Sequence, residues 1–197
     1  MPAVNEADPR VKRTRKLLQD ALMDLLAEKS FDAITVQDIA ERSTINRATF
    51  YAHYVDKYAL FGGYVHQWFR NALSQRLPVG ASLSRANLQL VILATMEALA
   101  AMDDHCRPTE TMQPLVMSAV QEELSALLRG WLKRASVPTT RRQMPLETTA
   151  AGLSWAIFGT ALNWSRMPER SPAEPTANRI ADLLTEGLSG VVGELTS

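Results

Sequence analysis

The segment TVQDIAERSTINRATFYAHYVDK, from Thr35 to Lys57, gathers the residue types that bind anions and read base edges. Its second half forms a short helix with an apolar side, Phe50 and Tyr54, and a polar, aromatic and cationic side, Arg47, Tyr51 and His53. An arginine near a helix start can donate two hydrogen bonds to guanine O6 and N7 in the major groove. Tyr51 and His53 can reach phosphates or a thymine methyl group. Lys57 opens the next helix, where its charge adds to free backbone N–H groups to make a ready phosphate site. The expected chemistry is therefore recognition of duplex DNA by a small basic, aromatic helix face.

Other chemistries find less support. Asp103, Asp104, His105 and Cys106 are four potential metal ligands in a row. Adjacent residues on a helix point in different directions and cannot close on one ion, so this is read as a helix end and no metal site is expected. There is no Ser-His-Asp spacing, no glycine-rich phosphate loop and no ligand pair at i, i+4 spacing. Accordingly, neither an enzyme nor a cofactor is expected.

The elements that must position the Thr35–Lys57 segment are legible in the apolar spacing. Leu17, Leu18, Ala21, Leu22, Leu25 and Leu26 make one stripe on a helix from about Arg10 to Glu28. Thr35, with Asp38 three residues on, caps a short helix from about Val36 to Arg42 whose inward residues are Val36, Ile39 and Ala40. Ser43, Thr44 and Ile45 form a tight turn, and Asn46 caps a third helix to about Tyr54. Asp56 then caps a fourth. Neither of the two short helices is stable alone, so the first must pack across them through Leu22, Leu25 and Leu26.

Longer helices follow: about Lys57 to Arg76, Ser84 to His105, Thr111 to Ala135 (with a bend or break expected at Pro114 or near Gly130), Leu146 to Met167, and Pro175 to Leu195. Pro138 and Pro145 bracket a polar linker, and PERSPAEP is a loop by composition. No period-two alternation appears, so the chain is all-α. With 46% hydrophobic residues among 197, it can bury a sizeable core. No apolar run of membrane length and no secretory leader is apparent, and the single cysteine, Cys106, suits a reducing cytoplasm. The 21 basic and 21 acidic residues cancel, which argues against a protein that coats nucleic acid by bulk charge but not against a local basic surface. Arg10, Lys12, Arg13, Arg15 and Lys16 make such a run, which reads most simply as a solvated helix face.

From about Arg15 to Leu60 the chain resembles the N-terminal domain of the TetR family of bacterial repressors. The resemblance rests on an amphipathic first helix followed by Phe31, Thr35, Val36, Ile39, Ala40, Phe50, Tyr51, Tyr54, Asp56 and Lys57 at the family's spacing. It implies an N-terminal three-helix helix-turn-helix domain over 1–56 and a C-terminal helical ligand-binding and dimerisation domain over 57–197. It also implies that Thr35, Gln37, Asn46, Arg47, Ala48, Tyr51, His53 and Lys57 face DNA. The other three-quarters of the chain matches the family in length and helical character only. One departure stands out: the family turn commonly has glycine where this chain has Thr44. A β-branched residue at positive φ costs roughly 1–2 kcal/mol, so this turn either avoids that conformation or carries its strain.

In such a C-terminal domain Phe61, Trp68, Phe69, Met96, Met112, Met117, Trp131, Trp155 and Phe158 are candidates to line an apolar ligand cavity. Gly152, Ala156 and Gly159, with Ile180, Leu184, Leu188 and Val191, are candidates for a four-helix homodimer interface, because small residues let backbones approach closely. The expected function is a homodimeric, cytoplasmic transcriptional repressor released from a palindromic operator by a small hydrophobic effector, with no membrane partner. The alternative is a ligand-independent architectural or cell-division factor of the same fold.

Overall fold

The structure is a computed structural model that describes residues 8–105, 108–135 and 144–192, with side chains described in these ranges except at residues 105 and 188–192. Among the described residues it is all-helical: α1 Pro9–Leu26, a single 3-10 turn Phe31–Ala33, α2 Val36–Ser43, α3 Arg47–His53, α4 Lys57–Arg76, α5 Arg85–His105, α6 Gln113–Arg134, α7 Leu146–Ser165 and α8 Ala173–Val192. Two compact units result. The first is Met1–His66 with Pro108–Met117, and the second is Gln67–Arg107 with Ser118–Ser197. The division falls inside α4 and not before it, and the first unit also takes in the segment that leads into α6.

In the first unit, Asp8 caps α1 by accepting the Arg10 N–H at 2.8 Å, and Pro9 occupies the first turn, where its missing N–H costs nothing. Leu18, Leu22 and Leu25 are buried, and α1 packs against both α2 and α3. Leu17 was expected in this stripe but is 42% exposed, since the buried phase runs through its neighbour Leu18. Ile39, Ala40 and Phe50 close the core from α2 and α3, while Val36 is only half-buried. Phe31 lies at its centre, with its ring centroid 5.4 Å from Phe61 and 5.5 Å from Tyr58. Truncating a fully buried phenylalanine of this kind costs about 3–5 kcal/mol.

In the second unit α5 is the central helix. Val91, Ile92, Leu93, Ala94, Met96 and Leu99 are buried around its circumference, and α7 and α8 pack against it. Residues 85–104 have the length and mean hydropathy, 1.2, of a membrane-crossing segment, which apolar runs in the sequence did not reveal. In this structure that apolar surface is largely buried by the neighbouring helices, as expected of a helix that is hydrophobic all round. Arg85 ties the start of α5 to α8, donating to Asp182 at 2.6 Å and Asn178 at 2.7 Å. The α7–α8 loop is held by Arg170, which grips Asp104 with two bonds of 2.9 and 3.0 Å, and by Trp164, which donates to the Ser171 carbonyl at 2.9 Å. The helix from Gln113 is continuous through Gly130, and Pro114 falls in its first turn, where no helical hydrogen bond is lost. The break expected there does not occur.

Candidate nucleic-acid interface

The short second helix is built from its caps. Thr35 Oγ1 accepts from the Asp38 N–H at 3.1 Å, and the Asp38 carboxylate accepts from the Thr35 N–H at 2.7 Å, a complete capping box. Lys29 adds an ion pair to Asp38 at 2.8 Å. That lysine first, and the Thr35 donors second, hold the Asp38 carboxyl well below the usual carboxylate range. The Thr35 side chain is thus engaged in the cap, although the residue is exposed. Gln37 is also exposed and donates to Glu41.

The turn that orients α3 settles the question raised by Thr44. Its φ is 55° and its ψ 29°, in the left-handed region, so the turn carries the strain that a glycine would avoid. Local bonds hold it there: Ile45 N–H to the Ala40 carbonyl at 3.0 Å, Thr44 Oγ1 to the Ser43 carbonyl at 2.7 Å, and Ser43 Oγ to the Ile39 carbonyl at 2.7 Å. Asn46 Oδ1 then accepts the Ala48 N–H at 2.8 Å, starting α3 as expected.

On α3, Phe50 points inward and Arg47, Ala48, Thr49, Tyr51 and Ala52 are exposed. Residues 47, 48, 51 and 52 lie along one face by helical spacing. Tyr51 keeps 47% of its surface while its ring packs edge-on against Phe50 at 5.4 Å. Thr49 and Ala52 were not singled out by sequence; the helical phase of Arg47, Ala48 and Tyr51 is the signal that would have included Ala52. His53 stands apart from this face. It is half-buried, its Nδ1 is enclosed without a hydrogen-bond partner, and desolvation followed by the Arg15 charge lowers its pKa.

Lys57 departs most from expectation. Its ammonium donates to the carbonyls of Phe31, Asp32 and Ile34 at 2.9, 3.1 and 2.8 Å, and lies 4.9 Å from the Phe31 ring centroid and 5.5 Å from that of Tyr58. These three carbonyls, at and just after the 3-10 turn, take its three donors, so here the side chain braces the backbone between Phe31 and Ile34. The start of α4 is capped by Asp56, whose Oδ1 accepts the Ala59 N–H at 2.7 Å.

The other candidates divide. Of the nine proposed cavity residues, Phe61, Met112 and Met117 belong to the first unit and Trp68, Phe69, Met96, Trp131, Trp155 and Phe158 to the second. Phe61, Phe69, Met96, Met112, Trp131 and Phe158 are buried and Trp68 is half-buried. Met117 and Trp155 are 40% and 55% exposed, so these two do not face an interior. By phase Trp155 joins Gly152, Ala156 and Gly159 on the open side of α7, and a Cβ built on either glycine meets nothing within 4 Å. On α8, Ile180 and Leu184 are half-buried and Leu183 is 67% exposed, while the side chains of Leu188 and Val191 lie outside the described residues. Asp103 accepts from Ser165 at 3.0 Å and Asp104 is held by Arg170, so both carboxylates have structural roles; Cys106 and the His105 side chain lie outside the described residues.

A three-helix unit whose short, capped third helix presents an exposed arginine and tyrosine beside a tight turn is a helix-turn-helix DNA-binding domain. The model for bacterial regulatory proteins of the tetR family matches residues 18–63. Over those residues the chain is similar to the tetR family. It is 53% identical over 53 residues to the uncharacterized HTH-type transcriptional regulator YxbF of Bacillus subtilis (strain 168), covering 26% of this chain and 14% of YxbF. It is 41% identical over 71 residues to YdeS of the same organism, covering 36% of this chain and 34% of YdeS. The chain therefore matches well under half of the length of these curated relatives. Among solved structures, a TetR transcriptional regulator from Streptococcus agalactiae 2603V superposes with a TM-score of 0.58 at 18% identity, over 89% of this chain and 95% of that one. FadR of Bacillus subtilis, solved in complex with stearoyl-CoA, gives 0.50 at 15% identity over 87% and 98%. These likenesses establish the fold along most of the chain. The matched model describes bacterial regulatory proteins.

Proposed function

We propose that the chain is a cytoplasmic, homodimeric transcriptional repressor that binds a palindromic operator and is released by a small hydrophobic effector. The observation that carries the reading is the exposed face of α3, where Arg47, Ala48, Tyr51 and Ala52 stand together on a helix held by the Asn46 cap. Arg47 supplies bidentate recognition of guanine, Tyr51 and Ala52 supply apolar contact to a thymine methyl, and Thr35 and Gln37 at the start of α2 lie toward the backbone.

Dimerisation is supported by the open face of α7, where Gly152, Trp155, Ala156 and Gly159 leave room for a second helix to approach. Leu183, beside Ile180 and Leu184, offers apolar surface on α8. A two-fold protein places its recognition helices about 34 Å apart, one turn of B-DNA, or a multiple of that distance. Effector release is supported by the stearoyl-CoA held by the FadR neighbour and by the large buried set of Phe69, Met96, Trp131 and Phe158. The switch runs through α4, a single helix that begins in the first unit and ends in the second.

The test is operator binding by fluorescence anisotropy, on a duplex enriched from a random pool, with and without stearoyl-CoA and then a panel of apolar compounds that raise the melting temperature. Coupling of about 1–3 kcal/mol, a 5- to 150-fold loss of affinity, is expected for the true effector. A compound that binds and leaves operator affinity unchanged overturns effector release and leaves a ligand-independent DNA-binding factor.

A further inference from the structure

We propose that the first two turns of α1 form a phosphate-binding arm, in which Arg10, Lys12 and Arg13 bind the DNA backbone beside the recognition helix. This rests on the reading of α3 as the DNA-binding helix and adds to it a second, sequence-independent surface.

The argument begins with the cations of the first unit. Lys16 pairs with Asp20 at 3.0 Å, Lys29 with Asp38 at 2.8 Å and Arg42 with Glu28 at 2.7 Å. Lys57 is spent on three carbonyls, and the Arg15 guanidinium lies 5.7 Å from the Tyr54 ring centroid. Four remain: Arg47 on α3, and Arg10, Lys12 and Arg13 on α1. All four are exposed and form no ion pair with a described residue. Among the described residues of this unit, the exposed cations outside these contacts therefore stand at the starts of two helices.

The position on α1 is electrostatically unfavourable in the free protein. The first turn holds no acidic residue, and the Asp8 cap sets one carboxylate against three cations that oppose the positive end of the helix dipole and repel one another. Nothing in the packing of α1 requires them, because its buried residues, Leu18, Ala21, Leu22 and Leu25, all lie further on. A polyanion would supply the missing compensation.

Two contacts set the start of α1 against the recognition helix. The Arg15 guanidinium lies over the Tyr54 ring, 5.7 Å from its centroid, and Gln19 Nε2 donates to the Tyr54 hydroxyl at 3.4 Å. Tyr54 is the C-cap of α3. Residues 15–19 of α1 thus cross the end of the recognition helix, and the basic turns continue past that crossing. Lys12 sits one turn before Arg15 on the same side, and Arg10 and Arg13 stand together three residues apart. From Arg15 back to Arg10 the helix extends about 8 Å. With long side chains added, that distance suits a strand of backbone bordering a major groove about 12 Å wide. The adjacency to α3 favours duplex DNA over an anionic membrane as the partner.

The experiment uses the full chain and the triple variant R10Q/K12Q/R13Q, with anisotropy titrations over a salt series. The probes are a random-sequence duplex and a duplex enriched by the wild type from a random pool; vesicles containing phosphatidylserine form a third arm. Each phosphate contact contributes a slope of about 0.9 in log K against log salt, so the triple variant should lose about two to three units on both duplexes. Its base preference and circular dichroism should match the wild type, and neither protein should bind the vesicles. A folded variant with an unchanged slope overturns the arm and leaves α3 untouched. Vesicle binding lost in the variant, with DNA slopes unchanged, overturns it in favour of a membrane. If the triple variant does not fold, K12Q and R13Q singly must each lower the slope by close to one unit, and failure to do so overturns the arm. A wild type that binds neither duplex refutes the reading of α3 itself, and the arm with it.

Discussion

Replacing Lys57 with methionine keeps most of the side-chain volume and removes the three donors that hold the Phe31, Asp32 and Ile34 carbonyls at 2.8 to 3.1 Å. Hydrogen bonds to a charged group are worth about 1.5–3 kcal/mol each when buried. Here the bonds to Phe31 and Ile34 are partly buried, while the carbonyl of Asp32 is exposed and can turn to water. Contact with the Phe31 and Tyr58 rings adds about 0.5–1 kcal/mol, most of it from the charge. Discounting for solvent and for the methionine stem that still covers Phe31, the expected loss is about 2–4 kcal/mol. The assay is urea denaturation followed by circular dichroism, paired with a salt series of DNA binding on the folded variant. The brace predicts a large fall in stability and a salt slope changed by well under one unit. A stability change below about 0.5 kcal/mol together with a slope reduced by about 0.9 would show that Lys57 leaves its carbonyls to hold a phosphate, and the account of this residue would be wrong.

Three further outcomes follow from the same structure. Thr44→Gly relieves a left-handed β-branched residue at the cost of one local hydrogen bond and some chain entropy, so stability should rise by up to about 1 kcal/mol; a loss larger than that in the same urea assay contradicts the strain argument. His53 has a folded pKa below its unfolded value, so the unfolded state binds the proton more readily and stability falls as pH drops from about 6.5 through the folded pKa. His53→Gln should flatten that limb of a stability–pH curve, and an unchanged limb counts against the enclosed imidazole. Gly159→Trp adds bulk where a Cβ meets nothing within 4 Å, so the monomer should keep its helicity. Light scattering should show the dimer lost; a variant that stays dimeric removes Gly159 from the seam.

Much of the first unit was legible because its signals are local. The capping box of Thr35 and Asp38, the Asn46 cap and the Asp56 cap each bind a backbone group within three residues, and they placed α2, α3 and α4 to within a residue. The role of Lys57 was hidden because its partners lie 23 to 26 residues away and are carbonyls, which leave no trace in side-chain pattern. Trp155 illustrates a different limit. Its chemistry suggested an interior, but its helical phase with Gly152 and Gly159 placed it on the open face, and phase was the better guide. Leu17 makes the same point on α1, where two adjacent leucines compete for one inward position and Leu18 takes it. The C-terminal helices were found by their proline and glycine punctuation, yet which side of each faces α5 depends on contacts between helices far apart in sequence.

The central claim is that the exposed face of α3 reads DNA sequence, and the most direct measurement is enrichment of duplexes from a random library by the wild type and by Arg47→Ala. The account predicts that the wild type selects a two-fold symmetric motif with half-sites separated by about one helical turn or a multiple of it. Arg47→Ala should bind that motif more weakly by about 1–3 kcal/mol and lose discrimination at one base position in each half-site, with its helical content intact. Selection of no motif by the wild type, or of an identical motif with equal affinity by folded Arg47→Ala, would contradict it.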